Sequence, residues 1–184
     1  TFSCWVKRAT ISNANQSIFS AGGNVYNRRL DINFEANDTL NFFMDPRADG
    51  GNYYGFNTTR VFRDPNAWYN FVFQLDTTQS TAADRVKIYV NGIRETAGSQ
   101  TNPDQNTDWY VNYTNEHDIG DGHHDTVTQK FDGYMAEINF IDGTALTADS
   151  FGETKDGIWV PKDVSGLTFG TNGFHLDFAD SSAI

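Results

Sequence analysis

Residues 68–75 read Trp68-Tyr69-Asn70-Phe71-Val72-Phe73-Gln74-Leu75, and residues 85–92 read Arg85-Val86-Lys87-Ile88-Tyr89-Val90-Asn91-Gly92. In the first run Phe71, Phe73 and Leu75 alternate with Asn70, Val72 and Gln74. In the second, Val86, Ile88 and Val90 alternate with Arg85, Lys87 and Tyr89. A period of two puts alternate side chains on opposite faces of an extended strand. Asn91-Gly92 follows at once. That dipeptide readily takes the two positive φ angles of a type I′ turn. Ile93–Thr96 is therefore predicted to fold back on Val86–Val90.

The same alternation extends outward in both directions. Phe2, Cys4 and Val6 share a face in Thr1–Arg8. Leu30, Ile32 and Phe34 do so in Arg29–Glu35, and Leu40, Phe42 and Met44 in Thr39–Asp45. The turn chemistry of Ala36-Asn37-Asp38 makes these last two runs a hairpin. Asn52–Asn57 is a further strand. In Phe131–Ile141 the expectation is Tyr134, Ala136, Ile138 and Phe140 on one face, against Met135, Glu137, Asn139 and Ile141. Phe174, Leu176 and Phe178 form a late one-sided face. Only Ala148–Phe151 suits a helical turn. Many short strands with one apolar face each predict an all-β fold, a two-sheet antiparallel β-sandwich. Residues 1–162 are expected to form the sandwich. Residues 163–184 are expected to be a closing strand and a linker to further chain.

Composition agrees with that class and excludes others. The 15 Phe and 8 Tyr suit strands, and the 16 Gly suit turns. A net charge of −11 repels a phosphate backbone and an anionic membrane surface. Nucleic acid is thus not an expected partner, and no apolar stretch predicts membrane insertion. The single cysteine, Cys4, forbids an intrachain disulfide and reads as a small buried hydrophobe. The Asp76–Asp84 and Gly98–Glu116 loops are expected at one end of the sandwich. The Asn91-Gly92 turn and the Asp121–Gln129 loop are expected at the other.

Five stretches in order, TFSCWVKR (1–8), WYNFVFQLD (68–76), RVKIYVNG (85–92), HDIGDG (117–122) and FDGYMAEINFIDGTAL (131–146), resemble a laminin-G-like, concanavalin A-like jelly roll. The resemblance covers roughly residues 1–150. The run SFGETKDGIWVPKDVSG (150–166), followed by TFGTNGFHLDF (168–178), resembles structural proteins of tailed bacteriophages. That likeness implies a tail-fibre or head-appendage module on a virion surface. It also implies other virion proteins as partners, a role in host attachment or capsid decoration, and a homo-oligomer such as a trimer. The alternatives are an extracellular lectin-like domain of a cellular protein and a glycoside hydrolase.

Each reading makes chemical demands. A retaining glycosidase needs two carboxyl groups about 5 Å apart. Sandwich-fold glucanases carry three acids at alternate positions of one strand. Here Glu137-Ile138-Asn139-Phe140-Ile141-Asp142 has Asn139 in the middle place, and Asp142 points away from Glu137. No serine elbow, P-loop or dinucleotide fingerprint is present. The expected protein is therefore not an enzyme.

Sugar binding needs an exposed ring to stack on an apolar sugar face, with amides or carboxylates for the hydroxyls. Asn106, Asp108, Trp109 and Tyr110 supply that chemistry in one loop, and Tyr53 and Tyr54 in another. The alternative for Trp109 and Tyr110 is to anchor the loop on the sandwich or on a neighbouring chain. No cofactor is required. Modules of the resembled kind often hold calcium at a rim, so Asp118, Asp121 and Asp125 are candidate ligands, with Asp45 and Asp49 beyond them. Calcium takes about six to eight oxygens. His123-His124 in the same loop reads either as a metal pair or as a solvated polar turn.

Overall fold

The computed structural model describes residues 1–12, 14–22, 29–45, 53–122 and 129–179. Two antiparallel sheets, each of six strands among the described residues, face one another. The first contains β1 (Phe2–Arg8), β6 (Tyr69–Leu75), β7 (Val86–Val90), β8 (Ile93–Arg94), β11 (Gly133–Phe140) and β14 (Phe174–Leu176), in the order β14-β11-β1-β6-β7-β8. The second contains β2 (Gln16–Gly22), β3 (Arg29–Phe34), β4 (Thr39–Asp45), β5 (Tyr54–Val61), β9 (Ala97–Thr101) and β10 (Glu116–Ile119), in the order β10-β2-β3-β4-β5-β9. A separate hairpin joins β12 (Gly152–Lys155) to β13 (Ile158–Pro161). The all-β sandwich expected from the alternation is the fold. Among the described residues, no helix is long and apolar enough to cross a membrane.

The predicted inward faces meet in the core. Phe34, Leu40, Met44, Phe71, Phe73 and Ile88 are all buried between the sheets. Burying each such side chain contributes about 1.5–3 kcal/mol. Cys4 is also fully buried, and burial pushes its thiol ionisation up, which makes it unreactive.

The outer face of the first sheet departs from the simple pattern. With one apolar face per strand, Ser3, Asn70 and Gln74 are expected on a solvated face, yet they are buried, as are Trp5 and Val72. Residues 142–170 lie over them and form a second cluster around Val72, Ile141, Phe151 and Val164, flanked by Trp159. Among the polar groups beneath, the Asn70 amide is bonded at both ends, and Gln74 Nε2 donates to the Leu146 carbonyl at 3.4 Å. Asn70 donates from Nδ2 to Ser3 Oγ at 3.4 Å and to the Cys4 carbonyl at 3.3 Å. Its Oδ1 accepts from Trp159 Nε1 at 3.1 Å.

Strand β11 also differs from strict alternation. Ser3 pairs with Asn139, but Trp5 pairs with Ala136, so Glu137 and Ile138 together oppose Cys4. This bulge sets Glu137 at φ 48°. It turns Tyr134 outward and Met135 toward the core, while Ile138 and Phe140 stay inside. One extra residue reverses a strand's facing, because the side-chain period is two.

At one end of the sandwich Arg8 and Asp38 form a buried ion pair at 3.0 Å. Arg63 reaches the other Asp38 oxygen at 2.8 Å, and Ser12 donates to the same carboxylate from both its backbone N–H and its hydroxyl. Burial alone would push the Asp38 carboxyl up. The hydrogen bonds from Ser12, Arg63 and Arg8 prevail and hold it well below the usual carboxylate range.

Two outcomes follow. A depressed carboxyl contributes stability above about pH 4, which is lost as pH falls through its folded value. Asp38→Asn should cost about 3–5 kcal/mol at neutral pH and flatten the acid limb of a stability–pH curve; urea midpoints across pH check both. At the Asn91-Gly92 turn, Asn91 (φ 48°) and Gly92 (φ 82°) take the predicted positive angles. A Cβ on Gly92 would also lie 2.6 Å from the Trp159 ring. Gly92→Ala should therefore destabilise by about 2–4 kcal/mol, and a change too small to resolve by denaturation would disprove that packing.

Candidate functional site

The polar loop 102–115 joins β9 to β10 and closes one end of the sandwich. Its first half is tied to the neighbouring 76–85 segment. The Asn106 N–H donates to Thr77 O at 2.9 Å, Thr77 Oγ1 to Thr107 O at 3.0 Å, and Arg85 Nη1 to Pro103 O at 2.8 Å. The two loops expected at one end are thus in contact there.

Trp109 sits at the loop's middle and points into the sandwich, only 8% exposed. Its ring meets Tyr54 edge-on, with centroids 5.5 Å apart. The Tyr54 hydroxyl donates to Asp104 at 3.4 Å.

Beyond Trp109 the chain turns outward. Asn112 adopts φ 68°, a left-handed conformation that asparagine tolerates better than most residues. Its Nδ2 donates to Asp142 Oδ1 at 2.6 Å. The other Asp142 oxygen accepts from the backbone N–H of Asn172 at 3.3 Å and from its Nδ2 at 3.4 Å. One carboxylate therefore pins the 102–115 loop to the turn before β14. The Asn112 N–H donates to His117 Nε2 at 3.1 Å. Nε2 then carries no proton, and Nδ1, 2.9 Å from Asn115 O, carries it.

Between these groups lies a surface depression of about 460 Å³. Tyr113, Thr114, His117, Ile119, Asn172 and Phe174 line it. Tyr113 is 61% exposed and leans edge-on against Tyr110, at 5.8 Å between centroids. The result is an exposed ring beside two asparagines, a threonine and a neutral imidazole.

The residues singled out from sequence are spread over three places. Asn106 and Asp108 are exposed on the loop, Tyr110 is half-buried, and Trp109 is an anchor within the core. Tyr53 and Tyr54 are neighbours in an extended chain, so they part to opposite sides of the second sheet. Tyr54 packs inward on Trp109, whereas Tyr53 lies outside against Phe43, at 5.1 Å. Asp118 pairs with Ser20 across β10 and β2. Asp121 accepts from the Gly122 N–H, and its carbonyl accepts from Ser20 Oγ. Among the described residues, no three His, Cys, Asp or Glu side chains converge on a metal position. Asp49, His123, His124 and Asp125 lie outside the described residues.

His117 and Asn172 escaped the sequence reading, and Asp142 entered it only as a rejected hydrolytic acid. Asn172 is 60 positions from Asn112, and only the pairing of β14 with β11 brings it near. Asp142 had a local signal, an acid directly after a core strand and before Gly143.

Comparison with known proteins settles the family. The sequence family described as the concanavalin A-like lectin/glucanases superfamily, of the laminin G 3 type, matches residues 1–150. The chain belongs to that superfamily. No protein of curated function matches this lectin-like chain in sequence. Among solved structures, the CBM40 of Ruminococcus gnavus IT-sialidase bound to α2,3-sialyllactose is similar, with a TM-score of 0.57 and 17% identity over 81% of this chain and 77% of that one. Another structure of the Ruminococcus gnavus IT-sialidase CBM40 gives 0.56, at 18% identity over 81% and 78%. The leech intramolecular trans-sialidase gives 0.52, at 16% identity over 83% of this chain and 24% of that one. At such identities the likeness is one of fold.

If Asp142 is the pin, Asp142→Ala should raise amide exchange across residues 106–115 by about tenfold, as expected for the loss of one to two net hydrogen bonds. Exchange in β6 and β7 should stay unchanged. Equal acceleration in both regions would show a general loss of stability instead.

Proposed function

We propose that this chain is a non-enzymatic glycan-binding module, and that the depression beside Tyr113 receives the sugar. The observation that carries this reading is the exposed Tyr113 ring set among Asn112, Thr114, His117 and Asn172. An apolar sugar face stacks on such a ring, and amides and hydroxyls bond its hydroxyl groups. The superfamily supports the reading, as does the similar CBM40 that binds sialyllactose.

Among the described residues, the lining carries neither Arg nor Lys. A carboxylated sugar would find no bidentate cationic partner there, and the chain is itself at −11. We therefore favour a neutral glycan over a sialylated one. The acid groups also support binding over hydrolysis. Glu137 is paired with His175 at 2.9 Å, and Asp142 is held by Asn112 and Asn172. Each belongs to a different cluster.

The phage-like run 150–178 supports a place on a virion appendage, with other virion proteins and copies of the same chain as partners and host glycan as the target. Native mass spectrometry of the full chain tests the trimer directly.

On a glycan array, Tyr113→Ala should lower the signal for neutral glycans about tenfold or more, as for loss of a stacked ring worth about 1–2 kcal/mol. Its thermal midpoint should stay near that of the parent, because Tyr113 is exposed. A profile unaffected by the substitution, or confined to sialylated glycans, would refute the assignment.

A further inference from the structure

Behind the 102–115 loop the two sheets do not close completely. A space of about 370 Å³ remains between them, walled by Phe2, Phe19, Ile32, Phe42, Phe73 and Phe140. We infer that this space is a second binding site, for a small apolar molecule or substituent that carries one hydrogen-bond acceptor.

Size is the first argument. A cavity of about 150 Å³ lined by Leu, Ile and Phe suffices for benzene. The space here is more than twice that, opens to solvent, and is lined by the same kinds of side chain together with Thr1, Thr77, Thr107, Asp108 and Asn112.

The second argument is independent. Trp109 lines the space and is more than nine-tenths buried, yet its indole Nε1–H finds no acceptor among the described residues. A buried donor left without a partner costs about 1–3 kcal/mol. A ligand with an apolar body and one oxygen satisfies both the walls and the indole.

Access is the third. Phe19, Asn112, Tyr113 and Phe140 line both this space and the outer depression. The two are neighbours across the Asn112–Tyr113 stretch, which forms the threshold between them. This inference goes beyond the glycan reading and stands without it.

The test uses the ¹⁵N-labelled full chain and acetophenone, an aromatic ring with one carbonyl acceptor. The Trp109 indole resonance is identified by its disappearance in Trp109→Phe. Acetophenone should shift that resonance saturably, and ethylbenzene, which lacks the oxygen, should bind more weakly. Ile32→Phe, which fills the space, should abolish the shift; if that variant loses its dispersed spectrum, Leu75→Phe, at a half-buried wall position, takes its place. No saturable shift up to the solubility limit, or a shift that survives in a folded filling variant, overturns the site. Equal binding of ethylbenzene overturns the role of the indole. Glycan binding by Tyr113→Ala is a separate readout, so either assignment fails without the other.

Discussion

Strands β1 and β6 are enclosed on both sides, and the rest of the molecule is arranged around that enclosure. One side of them faces the second sheet, and the other lies beneath residues 142–170. A strand with no wet face leaves its alternate polar side chains without water, so bonds within the protein take the place of hydration. Asn70 carries most of that burden, joining Ser3, the Cys4 carbonyl and the Trp159 indole. The segment that covers the sheet is thereby locked to it by polar contacts as well as by apolar burial. Its far end delivers Asn172 to the depression.

Much of the fold was legible because core burial imposes a period that the sequence must obey. The hairpin at Asn91-Gly92 and the pairing of β3 with β4 are direct readings of local chemistry. What could not be read is where burial comes from both sides. Asn70 and Gln74 have the composition of a solvated face, and nothing local announces the cover supplied from 142–170. The Glu137 bulge was hidden for a different reason. A single inserted residue leaves the composition intact and changes only the register against β1.

The candidate site shows the same division. The loop rich in Asn, Trp and Tyr was recognisable as a recognition surface, but not the roles of its rings. Trp109 and Tyr113 differ by four positions and have opposite fates, one buried as an anchor and one presented to solvent. Which ring goes inward is decided by the space available between the sheets and by the turn at Asn112, neither of which is encoded in residue type. Burying the larger ring fixes the loop, and a fixed loop can present the smaller ring with little entropy left to lose on binding. The Asp142 clamp acts to the same end, from the turn that directly follows core strand β11.

Cys4 has a practical corollary. Its thiol is fully enclosed and its ionisation is pushed up, and it is the only sulfhydryl in the chain. A thiol placed by substitution on the rim would thus be the single point at which a maleimide fluorophore or spin label attaches to the native chain. Distances and motions of the recognition loop become measurable without first removing any native residue.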